Sequence, residues 1–106
     1  MDIVNEYMKN NRASDWFGVK RLRCNDGFSM SVQAHDGAYC DPRVGPSETD
    51  HYYEVEIGFP SEKEDLIMYY AEDIDNPTDT VYGYVPVEVV AEVIEKHGGI
   101  KNETQD

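Results

Sequence analysis

Two thiols, three imidazoles and twenty-two carboxylates are the groups in this 106-residue chain best suited to do chemistry. Cys24 and Cys40 have fifteen residues between them, and His35 and His51 each stand alone. A closed zinc site needs four converging ligands, commonly in Cys-x2–4-Cys or His-x3–5-His pairs, and no pair here has that spacing. The expectation is therefore no metal and no cofactor, with both cysteines as small core residues on neighbouring strands. Asp73-Ile74-Asp75-Asn76-Pro77-Thr78-Asp79 has the spaced carboxylates that start a calcium loop. Thr78 stands where such a loop needs glycine and Tyr84 where it needs glutamate, so a solvated helix end is the better account. A Cys–His dyad from Cys24 or Cys40 with His35 or His51 lacks any accompanying oxyanion-hole or elbow motif. Glycines occur as turn residues, never as a phosphate-cradling G-x-G-x-x-G or P-loop. The chain is not expected to be an enzyme.

Charge is more telling. Residues 1–43 hold six basic and six acidic side chains, whereas residues 44–106 hold sixteen acidic ones against Lys63, Lys96 and Lys101, giving the whole net charge of −13. Binding to DNA or RNA is driven by Lys and Arg displacing counterions, so direct nucleic-acid binding is not expected, nor is binding to an anionic membrane. A basic protein is the natural complement of such a surface. The candidate partner-binding carboxylates are Glu54, Glu56, Glu62, Asp65, Glu72, Asp73, Glu88, Glu92 and Glu95. If they formed one continuous surface it could imitate a phosphate backbone, where otherwise acidic surface simply keeps a small protein soluble. Tyr52, Tyr82 and Tyr84 join the candidates because tyrosine is enriched at interface hot spots.

The elements that must position these groups alternate along the chain. Ile3, Val4, Tyr7 and Met8 recur at helical spacing over residues 3–11, and Trp16 and Phe17 follow as an expected plug for one end of the core. Residues 19–24 read as a strand and Asn25-Asp26-Gly27 as a tight turn. Residues 28–34 alternate apolar and polar without a slip, which predicts a half-buried strand. His35-Asp36-Gly37 is a second turn, residues 38–40 a short third strand, and residues 41–50 an expected mobile loop. Residues 51–59 predict a strand with Tyr53, Val55, Ile57 and Phe59 on one face and Tyr52, Glu54 and Glu56 on the other. Ser61 and Glu64 form the pattern of a capping box, so a helix is expected with Leu66, Ile67, Tyr70, Ala71 and Ile74 buried, ending at Asn76-Pro77. Residues 80–85 form a last strand. Pro86 then opens a helix in which Val90, Val93, Ile94 and His97 share a face and Gly98-Gly99 close it.

The predicted fold is α+β, in the order α-β-β-(β)-β-α-β-α: an antiparallel sheet of three to five strands packed with two or three helices. One domain over residues 1–100 precedes a frayed acidic tail, 101–106. Twelve aromatic residues are too many for a disordered acidic chain, and no apolar run approaches the length of a membrane span. Residues 1–6 lack the blocks of a signal peptide, so the chain is expected in the cytoplasm of its cell, with both thiols reduced.

Several phrases carry a resemblance: Cys24-Asn25-Asp26-Gly27-Phe28-Ser29-Met30-Ser31-Val32-Gln33-Ala34, Tyr39-Cys40-Asp41-Pro42-Arg43 and Val55-Glu56-Ile57-Gly58-Phe59-Pro60-Ser61. Tyr70-Ala71-Glu72-Asp73 and Val81-Tyr82-Gly83-Tyr84-Val85-Pro86-Val87 add to it. Across about residues 14–100 the chain resembles small acidic proteins carried by phages and conjugative elements of gut Firmicutes. The resemblance implies a mobile-element accessory protein in a bacterial host cell and transfers no site residues. Two functions follow as expectations. The first is an inhibitor of a host defence nuclease, of anti-CRISPR or antirestriction type, in which a DNA-mimicking acidic face binds the basic nucleic-acid-binding surface of a CRISPR effector or restriction enzyme. The alternative is a non-inhibitory protein–protein adaptor in replication or transfer of the element.

Overall fold

Asp2 opens the first helix: its carboxylate accepts the backbone N–H of Asn5 at 2.8 Å, satisfying one of the donors that a helix start leaves open. The helix, α1, runs Ile3–Asn11 in a computed structural model that describes residues 2–13 and 18–102; Trp16 and Phe17, the expected core plug, lie outside the described residues. Val4 and Met8 are buried as their spacing requires, but Ile3 is exposed and Asn5 is buried instead. Asn5 serves as a peptide surrogate. Its Nδ2 donates to the carbonyl of Tyr52 at 2.8 Å and its Oδ1 accepts the N–H of Tyr52 at 2.9 Å. Asn5→Ala leaves that buried peptide unpaired and is expected to lower stability by about 1–3 kcal/mol in urea denaturation.

Four antiparallel strands follow in spatial order β1 (Leu22–Arg23), β2 (Ser29–Gln33), β3 (Glu54–Gly58) and β4 (Val81–Pro86). The α+β class expected from the sequence is the class observed. At the β1–β2 turn Gly27 takes φ 99° and the Asp26 carboxylate accepts the N–H of Phe28 at 2.9 Å. Met30 and Val32 of β2 face the core while Ser31 and Gln33 are half-buried. Val32 pairs with Ile57 and Ile57 with Tyr82, so one fully buried row crosses three strands. Between Val55 and Ile57 the β3–β4 register shifts, and Tyr84, at φ 54°, is exposed beside the irregularity.

Three expectations need correction. Residues 38–40 bend and form no strand; the bridge to β3 comes after them, from Asp41 to Glu54. The strand expected over 51–59 is shorter, and its alternation breaks at both ends. Tyr52 is buried while Tyr53 and Phe59 are exposed, Phe59 because its φ of 48° turns the side chain off the strand. The helix expected after Ser61 is only a 3-10 helix, Asp65–Tyr70. Ser61 does not cap it: its Oγ accepts the N–H of Ser29 at 2.9 Å, so the residue is spent extending the sheet. Glu64 caps it instead, accepting the N–H of Leu66 at 2.9 Å. Three residues per turn then bring Ile67 and Tyr70 to one side, with Ile67 buried and Tyr70 half-buried, while Leu66 and Ile74 are exposed.

The second long helix, α2 (Val87–Lys96), starts at Pro86 and is followed by Gly98 and Gly99 at φ 88° and 89°, the left-handed conformation that ends helices. Val90, Val93 and Ile94 join the sheet residues in a single buried cluster. Beyond it Lys101 N–H still donates to the carbonyl of Arg23 at 2.8 Å.

Candidate functional site

The polar residues that the fold invests in most heavily are ones no local motif announces. His97, just past α2, sits between two carboxylates: Nδ1 lies 2.6 Å from Asp26 Oδ2 and Nε2 2.7 Å from Glu64 Oε1. Phe28 stacks on the ring with centroids 4.0 Å apart and planes 11° from parallel. Glu64 is 1 % exposed, and its other oxygen accepts both the Leu66 N–H and Lys96 Nζ at 3.0 Å. Both imidazole nitrogens face acceptors, an arrangement that favours the imidazolium, which can donate twice. Burial alone would lower the His97 pKa, but its hydrogen bonds to Glu64 and Asp26 and their charges outweigh that and hold it above the usual value. Burial raises the Glu64 carboxyl, yet the Leu66 amide, His97 and Lys96 bring it below the ordinary range. Asp26 is lowered by the Phe28 amide and by His97. With both nitrogens occupied and one ring face covered, His97 has no lone pair to offer a substrate. It joins the β1–β2 turn, the end of α2 and the start of the 3-10 helix.

The thiols are equally unsuited to nucleophilic work. Burial, with the charge of Asp26, pushes Cys24 up to about 11, and burial raises Cys40 as well; a protonated thiol is a poor nucleophile. Among the described residues no group of three or more His, Cys, Asp or Glu is arranged to hold a metal ion, and no helix is long and apolar enough to cross a membrane.

What remains at the surface is the acidic face. At 3.6 residues per turn, Glu88, Glu92 and Glu95 fall within about one-sixth of the circumference of α2, and all three are exposed. Ala91 and Ile94 flank them on one side. There they line an open groove of about 570 Å³ together with Ile3, Glu95, Gly98 and Gly99. Lys96 flanks them on the other side, tied to Glu64 and surrounded by the charges of Asp65 and Glu62. Past it come exposed Glu62 and Asp65 and the 3-10 helix, whose Tyr69 side chain is 91 % exposed; Glu72 and Asp73, further along the chain, are exposed as well. Lys63 lies 3.9 Å from Asp65, so the two cations of this region both sit beside carboxylates.

The remaining sequence candidates lie elsewhere. Glu54 and Glu56 alternate with buried Val55 and Ile57, which puts them on the sheet face turned away from α2; Glu56 Oε1 accepts the N–H of Tyr39 at 3.0 Å. The nine carboxylates thus do not make one continuous surface. Tyr52 and Tyr82 are buried, with their hydroxyls donating to the carbonyls of Val44 and Pro77, and burial lifts the Tyr52 phenol to about 12. Neither ring can anchor a partner. Tyr84 is exposed on the outer sheet face, 6.0 Å from the ring of Tyr39. Sequence reasoning missed Tyr69, because a regular helix over 61–75 gave it no special place. It missed the Asp26–His97–Glu64 junction because the partners lie 71 and 33 residues from His97.

No protein-family model, no curated protein and no solved structure matches this chain.

Proposed function

We propose that this protein is an acidic binding module that occupies the basic, nucleic-acid-handling surface of another protein. The observation that carries the reading is the exposed Glu88–Glu92–Glu95 stripe of α2, bordered by the Ile3 groove on one side and, through Lys96 and Glu64, by the 3-10 helix that carries Tyr69 on the other. Carboxylates at helical spacing complement lysines and arginines that would otherwise meet phosphates. The flanking apolar groove and the exposed aromatic supply the desolvated anchors that charge alone lacks. The resemblance to proteins of phages and conjugative elements makes a host defence nuclease, a CRISPR effector or a restriction enzyme, the first partner to test. The setting is then the cytoplasm of a bacterial host. Exposure of Tyr69 and Ile74, at 91 % and 66 %, also supports a second reading, an adaptor that docks through apolar contact.

The test is affinity capture from nuclease-treated bacterial lysate, comparing the wild type with Glu88→Lys/Glu92→Lys/Glu95→Lys by quantitative mass spectrometry. The triple variant should fold: all three side chains are exposed, and what Glu88 contributes at the helix start is offset by a cation gained near its end. It is expected to lose basic partners whose wild-type capture falls steeply with salt, since exposed charge is screened within a Debye length of about 8 Å at physiological ionic strength. A folded variant with unchanged capture and unchanged salt dependence would remove α2 from the interface. Salt-insensitive capture lost on Tyr69→Ala would favour the adaptor.

A further inference from the structure

We propose that His97 is a proton-operated clasp that holds the acidic binding face in its binding arrangement and releases it as the pH rises. The inference rests on the reading of that face as the binding surface. The charged groups facing the ring are Asp26 from the β1–β2 turn and Glu64 from the start of the 3-10 helix, with Lys96 of α2 bonded to Glu64. Behind them stand Glu62 and Asp65, which act on Lys96, and Cys24, which feels Asp26. Phe28 closes one face of the ring.

One imidazolium satisfies two carboxylates at 2.6 and 2.7 Å. A neutral ring has a single N–H, so after the proton leaves to solvent one carboxylate oxygen meets a lone pair at hydrogen-bond distance. Glu64 is 1 % exposed and has nowhere to turn, whereas the Asp26 side chain is 49 % exposed and can reach water. Deprotonation therefore parts Asp26 from the ring. It leaves Glu64 held by an uncharged donor where a charged one had been, and charge-assisted bonds are roughly twice as strong. Glu64 is the cap of the 3-10 helix that carries Tyr69, and Lys96, its other partner, borders the glutamate stripe. Loosening this junction reaches both sides of the face.

The free protein and a binding probe test this together. Ring nitrogen NMR of His97 is expected to show both nitrogens protonated at neutral pH. Amide exchange at residues 65–70, corrected for its intrinsic pH dependence, should accelerate as the ring titrates. A short oligo-arginine peptide, whose guanidinium charge stays constant, should bind about fivefold or more weakly at pH 9 than at pH 6.5. Asp26→Asn, which leaves the buried Glu64 pair in place, should move the whole transition to lower pH. A ring already neutral at pH 7, or exchange at 65–70 that ignores its titration, overturns the clasp whatever the peptide does. Titration with accelerated exchange but pH-independent peptide affinity overturns its control of binding. Failure of the peptide to bind at any pH in low salt overturns the binding face itself, and the clasp's regulatory role with it, while the NMR still reports on the ring.

Discussion

Glu64→Ala is expected to lower folding stability by about 3–5 kcal/mol, the usual consequence of removing one partner from a buried ion pair. Small domains are stable by only about 5–15 kcal/mol, so the variant should stand at the edge of unfolding at room temperature. The loss comes less from the attraction forfeited than from what is left: His97 buried with one carboxylate, Lys96 without its partner, and an uncapped Leu66 amide. Glu64→Gln keeps the volume and an acceptor and should cost less. The same junction sets the pH profile. His97 is raised in the folded state, so its contribution is complete below its unfolded value of about 6.5 and fades as pH rises through the folded one. Glu64 and Asp26 are lowered, so theirs is complete above the unfolded carboxylate range of about 4 and fades as pH falls through their folded values. Urea midpoints across pH should therefore show a plateau between those limits. In Glu64→Ala the alkaline decline should flatten.

Ile57→Ala should cost about 2–5 kcal/mol, as truncations of fully buried aliphatic side chains do. Ile57 is 0 % exposed and lies in register with Val32 on one side and Tyr82 on the other, so the cavity opens in the middle of the sheet's buried row. Sequence periodicity assigned Leu66 to the same core. At 38 % exposure its replacement should cost clearly less than that of Ile57. Equal losses at the two sites would mean the face assignment is wrong, and a loss under about 0.5 kcal/mol at Ile57 would reverse it.

That contrast shows what could be read from the sequence and what could not. Where one local signal acted alone, it held: the Asn25-Asp26-Gly27 turn, the alternation of β2 and the glycines that follow α2. The glutamate stripe was legible for the same reason, since helical spacing alone decides which side chains share a face. Residues 61–75 failed because two signals competed. Ser61 looks like a helix cap but bonds Ser29 across 32 residues, so the cap passes to Glu64 and the helix stays short. Tyr52 and Tyr53 exchange their expected faces just before β3 begins: the Tyr52 peptide pairs with Asn5 of α1 and its buried hydroxyl with the Val44 carbonyl, and Tyr53 is left exposed. The Asp26–His97–Glu64 junction is beyond local reading altogether. Its members are single residues brought together by the tertiary fold, and in sequence His97 is simply one more residue on the buried side of a helix.

The most direct measurement of the central claim is competition. Partners captured from lysate by the immobilised wild type are challenged with short duplex DNA and, separately, with single-stranded RNA. If the α2 face occupies a nucleic-acid groove, one of these should release the bound protein in a dose-dependent way. About 1 M salt, where the Debye length is about 3 Å, should do the same. Capture that survives saturating nucleic acid of both kinds, and high salt as well, would contradict the account.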